Sequence, residues 1–101
     1  MKNERDVKRV LKRGLDKHGI WHTSPYQAGM TQYGVPDVLA CANGFFVGLE
    51  CKFGNNTPTK HQTRQMDAIK NSGGMAFIVN ETNVSLIVSM LADIQKVSND
   101  N

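Results

Sequence analysis

Asp37, Glu50 and Lys52 are the residues whose types and spacing could do chemistry in this 101-residue sequence. Two carboxylates beside an ammonium suit a hard divalent cation such as Mg²⁺, which prefers carboxylate and water oxygens. With Asp37 and Glu50 holding the ion, a coordinated water becomes a nucleophile. Lys52 can then orient that water or stabilise developing negative charge. The backbone carbonyl of Cys51, between the two functional side chains, is a further candidate ligand. On spacing alone the alternative stays open: Glu50 and Lys52 as a solvent-facing pair on an edge strand, with Asp37 a turn residue after Pro36.

The spacing acquires meaning from the hairpin that would carry it. Residues 37–42 and 45–53 are strand-like runs joined by Asn43-Gly44, the favoured type I′ turn between apolar runs. A two-residue turn pairs Ala42 with Phe45, so Asp37 falls opposite Glu50 and Lys52 opposite Val35. A four-residue loop over 42–45 preserves that register. Side chains alternate, so Phe45, Val47, Leu49, Cys51 and Phe53 form one apolar face, and Phe46, Gly48, Glu50 and Lys52 point the other way. Opposed carboxylates at ~5 Å between Cβ atoms repel. A shared proton, a bound cation or nearby basic side chains such as Lys52 must offset that repulsion.

Two further polar residues sit on apolar stripes. Glu4 precedes Val7 and Leu11 by three and seven residues, which puts it on the inward stripe of the first helix. It either reaches the metal site or simply favours the helix dipole in the first turn. Gln62 shares a face with Met66 and Ile69. It either completes a capping box with Thr59 or reaches over the sheet to the site.

The elements around these residues are legible. Residues 3–18 are predicted as an amphipathic helix ending at Gly19, and 20–23 as a short strand. Residues 24–36 read as an exposed loop, 59–71 as a helix ended by Gly73-Gly74, 75–80 as a buried strand and 83–95 as a last helix. The order αβββαβα implies an α/β fold, a mixed sheet flanked by helices. The length fits one domain, with 96–101 expected as a disordered tail. No apolar run approaches the ~20 residues that cross a bilayer, and the charged start lacks a signal-peptide core, so a cytoplasmic location is expected. Cys41 and Cys51 are read as reduced, buried thiols, and a structural zinc site is not expected. The net charge of +3 permits an anionic partner without demanding one. Lys2, Arg5, Lys8, Arg9, Lys12, Arg13 and Lys17 crowd the first helix, either as a solvated face or as a phosphate-binding one.

Gly34-Val35-Pro36-Asp37-Val38, Gly48-Leu49-Glu50-Cys51-Lys52 and the downstream Gln62 together resemble a VRR-NUC domain. This is the virus-type replication-repair branch of the PD-(D/E)XK nuclease superfamily. The resemblance covers about residues 4–91. It implies a restriction-endonuclease-like core, with Asp37 and Glu50 as ligands of Mg²⁺ or Mn²⁺ and Lys52 as the catalytic lysine. Gln62 takes the place of the helix glutamine and Glu4 that of the helix acid. It also implies a homodimer resembling Holliday-junction resolvases, as in stand-alone phage members. A structure-selective DNA endonuclease acting in repair is therefore expected, and a nicking or flap-cutting enzyme is equally reasonable. The rivals are a non-catalytic DNA-binding module of the same fold and a metal-independent scaffold.

Around that site, Tyr33 and its loop neighbours Tyr26, Gln27 and Met30 are placed to touch DNA. Lys60, His61 and Arg64 open the second helix, whose positive dipole end could hold phosphates, and Lys8 and Lys12 are the first-helix candidates. Trp21 is expected in the core or at a dimer contact, and His18 and His22 as surface histidines.

Overall fold

The protein is described by a computed structural model over residues 1–25 and 33–99. Apolar residues at three- and four-residue steps bury one stripe of α1 (Glu4–Lys17), leaving Val7, Leu11 and Leu15 with no exposed surface. Asn3 caps the helix by accepting from the Asp6 amide at 2.9 Å. There follow β1 (Trp21–Thr23), β2 (Val38–Ala42), β3 (Phe45–Cys51), α2 (Lys60–Asn71), β4 (Met75–Val79) and α3 (Val84–Asn99). This is the expected αβββαβα order.

The strands form one mixed sheet in the order β1-β2-β3-β4. The first three are antiparallel neighbours, and β4 runs parallel to β3 because α2 carries the chain back across the sheet. Ala42 pairs with Phe45 and Val38 with Leu49, the register predicted from the turn. Asn43 and Gly44 take positive φ of 50° and 82°, as a type I′ turn requires.

The helices divide between the two faces. Val38, Ala40, Val47, Leu49 and Cys51 form a core with Val7, Leu11 and Leu15 of α1 and Val84, Ile87 and Leu91 of α3. On the other face α2 packs over β3 and β4. Gly48 makes that closure possible: a Cβ there would stand 2.7 Å from Ile69 Cδ1 and 3.0 Å from Pro36 Cγ. β3 is therefore covered on both sides and lies between two partners. Glu50 and Lys52 are not a solvent-facing pair on an edge strand.

Several boundaries differ from expectation, for identifiable reasons. β2 begins at Val38 rather than residue 37, because the Asp37 side chain accepts the Cys51 amide at 2.9 Å. The expected Lys52–Val35 pair is not part of the β2–β3 ladder, which ends at Val38–Leu49; the Lys52 amide faces β4 and donates to Val79 O at 2.9 Å. Phe45, at the turn end of the apolar face, is half exposed. Helix α3 runs to Asn99, so residues 96–99 are helical where a tail was expected. Gln95 anchors that end: it accepts from the Asn43 amide at 2.9 Å and donates to Gly19 O at 3.3 Å. Trp21 is 61% exposed and does not belong to the core. His22 is no ordinary surface histidine either, since its largely buried side chain bonds Asp16 Oδ1 through Nε2 at 2.6 Å. Both cysteines are free thiols, Cys51 buried and Cys41 partly so. Among the described residues, no helix is long and apolar enough to cross a membrane.

Gly34 fixes how the segment before Asp37 meets α2. Its φ is +79°, and a Cβ there would lie 2.3 Å from His61 C and 2.6 Å from Gln62 N. Gly34→Ala is therefore expected to lower stability by about 1–3 kcal/mol, the range for overpacking a close contact. Urea unfolding checks this, and an unchanged midpoint would show that the contact yields without cost.

Candidate active site

The site stands at the end of β3 where β2 has run out of ladder. Asp37 Oδ2 takes the Cys51 N–H there, so the carboxylate replaces a backbone acceptor and is held against the strand. Glu50, one residue earlier on β3, is 2% exposed and is the one buried charged residue among those described. Its Oε2 accepts from Gln62 Nε2 at 2.8 Å and lies 3.6 Å from Lys52 Nζ. Its Oε1 is buried with no hydrogen-bond partner.

Gln62 fills both roles that its spacing allowed. Its Oε1 accepts from the Thr59 amide at 2.9 Å, and Thr59 Oγ1 accepts from the Gln62 amide at 3.2 Å, which is a complete capping box. The other end of the same amide donates to Glu50. Lys52 Nζ also approaches Glu4 Oε1 at 3.9 Å, so the start of α1 reaches the site through the lysine. Glu4 is nearly half exposed, at the rim rather than on the buried stripe. Among the described residues, no three His, Cys, Asp or Glu side chains converge on one point.

Burial is the first cause that pushes the Glu50 carboxyl up to about 7. The negative charge of Asp37 adds to it, and the Lys52 ammonium opposes both. The Cys51 thiol is pushed up to about 12, by burial first and then by Asp37 and Glu50. It stays protonated at neutral pH and is no thiolate nucleophile. A buried carboxylate oxygen without a donor beside a second carboxylate is satisfied by a proton shared with Asp37, which raises the Glu50 carboxyl, or by a hard cation, whose preferred ligands are such oxygens.

An open cleft of about 530 Å³ has Lys8, Tyr33, Asp37, Thr59, His61 and Gln62 in its walls, so it meets the site at Asp37 and Gln62, while Glu50 and Lys52 do not line it. Tyr33 is 73% exposed, and its ring stands 5.6 Å from that of His61 at a tilt of 41°. Of the other predicted DNA contacts, Lys12 lies along α1 in a neighbouring groove that Lys8 also lines. Lys60 and Arg64 line a separate depression on α2 with Asp67, and neither is in the cleft wall. Tyr26, Gln27 and Met30 lie outside the described residues. In the sequence Gly34 stands out only as the first residue of the Gly34-Val35-Pro36-Asp37 motif; its structural task, a positive φ and close approach to the start of α2, is not apparent there.

No protein-family model matches the chain, and comparison with curated proteins finds no match.

The Glu50 shift has a direct consequence for stability. An unfolded glutamate releases its proton near its ordinary 4.5, whereas folded Glu50 holds it to about 7. Between those values the folded state binds more protons, so stability falls as pH rises and levels off above about 7. Thermal unfolding without divalent cations should show this fall, and Glu50→Gln should flatten it. Mg²⁺ should raise the wild-type midpoint above pH 7 and leave Glu50→Gln unmoved. Identical pH profiles for the two proteins would show that Glu50 is not the strained group.

Proposed function

We propose that this chain is a divalent-metal-dependent DNA endonuclease of the VRR-NUC type, cutting branched or otherwise structured DNA in the cytoplasm as a homodimer. The observation that carries the proposal is the unpartnered, buried Oε1 of Glu50 beside Asp37 on a central strand. Neither a binding module nor a scaffold has any use for a carboxylate in that state. Two opposed acids also repel the phosphates that a pure binder must attract.

Asp37, Glu50 and the Cys51 carbonyl would hold Mg²⁺ or Mn²⁺. When bound, such an ion supplies Lewis acidity toward a phosphoryl oxygen and acidifies a coordinated water. The chain's own groups have separate tasks. Gln62 fixes the Glu50 carboxylate through Oε2, which leaves Oε1 directed away from the amide. Lys52, its side chain only 12% exposed, holds a positive charge 3.6 Å from Glu50. That charge stabilises negative charge developing on the phosphate or its attacker. Glu4 restrains the same ammonium from the α1 side. Lys8, Tyr33 and His61 line the cleft through which a strand reaches these groups.

The test uses labelled four-way junction, flap, single-stranded and duplex DNA, each with Mg²⁺, Mn²⁺ or EDTA. Cutting is expected only with metal, and both Glu50→Ala and Asp37→Ala should abolish cutting together with metal binding. Lys52→Ala should lose at least 10²-fold in rate, as expected for removing a preorganised charge, while keeping DNA and metal affinity. The ranking of substrates separates junction cutting from flap or nicking activity. Tight DNA binding without cutting of any substrate would overturn the proposal in favour of a non-catalytic module.

A further inference from the structure

The first helix carries a second charged feature that the site does not use. Its inward stripe is consumed by the core, and its outward flank presents Arg5, Lys8, Arg9, Lys12 and Arg13 along a shallow groove of about 300 Å³. Three acids share the helix, and each is engaged. Glu4 lies 3.9 Å from Lys52, Asp6 bonds Arg9 at 3.0 Å, and Asp16 bonds His22 at 2.6 Å. Arg5, Lys8, Lys12 and Arg13 have no acidic partner among the described residues. Steps of three and four residues place these cations side by side, an arrangement that disfavours the isolated helix. The row is therefore electrostatically incomplete, as the carboxylate pair is, but with the opposite sign.

Its position matters as much as its charge. Lys8 lines both this groove and the cleft, so the row starts at the wall of the site. Its charge is felt at Cys51, the residue after Glu50 whose amide Asp37 accepts. The basic residues of α2 differ on both counts: Lys60 and Arg64 share their depression with Asp67 and are not in the cleft wall.

We infer that the outward face of α1 is a phosphate track, which holds the nucleic-acid backbone on one side of the bond to be cut. The inference rests on the nuclease reading for the identity of its ligand. From Arg5 to Arg13 the helix rises about 12 Å at 1.5 Å per residue. Each strand of a duplex has one phosphate per about 3.4 Å of helix axis, so a track lying along that axis spans about three to four phosphates of one strand. An anionic membrane is the poorer occupant. An interfacial helix inserts its apolar face into lipid, and Val7, Leu11 and Leu15 are fully buried against the sheet.

Fluorescence anisotropy with labelled duplex and four-way junction, in EDTA so that nothing is cut, tests the track between 50 and 200 mM salt. Each phosphate contact contributes about 0.9 to the slope of log affinity against log salt. Replacing Arg5, Lys8, Lys12 and Arg13 together by Gln should lower the slope by about three to four, and Lys12→Gln alone by about one. Circular dichroism should confirm that the helix is retained, as expected for good helix formers at outward positions. An unchanged slope in the folded fourfold variant overturns the inference. So does a loss produced instead by Lys60→Gln/Arg64→Gln, or one seen only on phosphatidylserine vesicles. The two readings fail separately. A chain that binds DNA through α1 but never cuts keeps the track and loses the nuclease, whereas metal-dependent cutting with an unchanged slope removes the track alone.

Discussion

A carboxylate in the middle of a sheet, with strands on both sides and helices above and below, has little water to solvate it. Glu50 is in that situation, and much of the fold around it is arranged to make the situation tolerable. Gln62 reaches over from α2 to donate to one oxygen, and Lys52 brings a positive charge from two residues along the chain. Asp37 works against both, yet it is itself fixed by the Cys51 amide. Removing charge from water costs several kcal/mol unless it is compensated, and the compensation here stops one oxygen short. A protein under selection for stability alone would replace Glu50 with an apolar residue of similar volume. This chain carries the glutamate, with one oxygen left without a donor.

The architecture supplies the rigidity that such an arrangement needs. β3 is fixed by antiparallel pairing on one side and parallel pairing on the other; Glu50 pairs with Ile78 of β4, and its neighbour Leu49 is the last residue paired with β2. The missing side chain at Gly48 lets Ile69 settle directly on the strand, which brings the start of α2 within reach of the carboxylate. On the far side, α1 is held by a fully buried stripe, so the charges on its outer flank keep a fixed bearing on the cleft. Groups drawn from four elements converge because each element is held by its own apolar contacts.

Much of this was legible before any coordinates. The Asn43-Gly44 turn set the register from Ala42–Phe45 to Val38–Leu49, because the period of a strand is two and admits no intermediate answer, and Asp37 follows directly beyond the last pair. The periodicities of the helices placed Val7, Leu11, Leu15, Val84, Ile87 and Leu91 inside. What escaped were long-range polar bonds. No local pattern in 83–99 shows that Gln95 will bond Asn43 and Gly19, and those two bonds hold the end of the helix in place. The exposure of Trp21 was equally hidden, since a tryptophan in a three-residue edge strand has the same local sequence whether or not a helix covers it. The division of the basic surface into a flank beside the cleft and another on α2 is a tertiary fact, invisible to counting charges.

The double engagement of Gln62 restricts what evolution can place at that position. One end of its amide must accept, to start α2, and the other must donate, to hold Glu50. Glutamate keeps the first bond and sets a third negative charge against the other two; methionine keeps the shape and loses both bonds; asparagine is one carbon too short to span them. Helix nucleation and site assembly thereby share one side chain. A chain in which α2 has not started correctly therefore lacks the donor that orders Glu50, so the geometry of the carboxylate depends on complete folding of that helix.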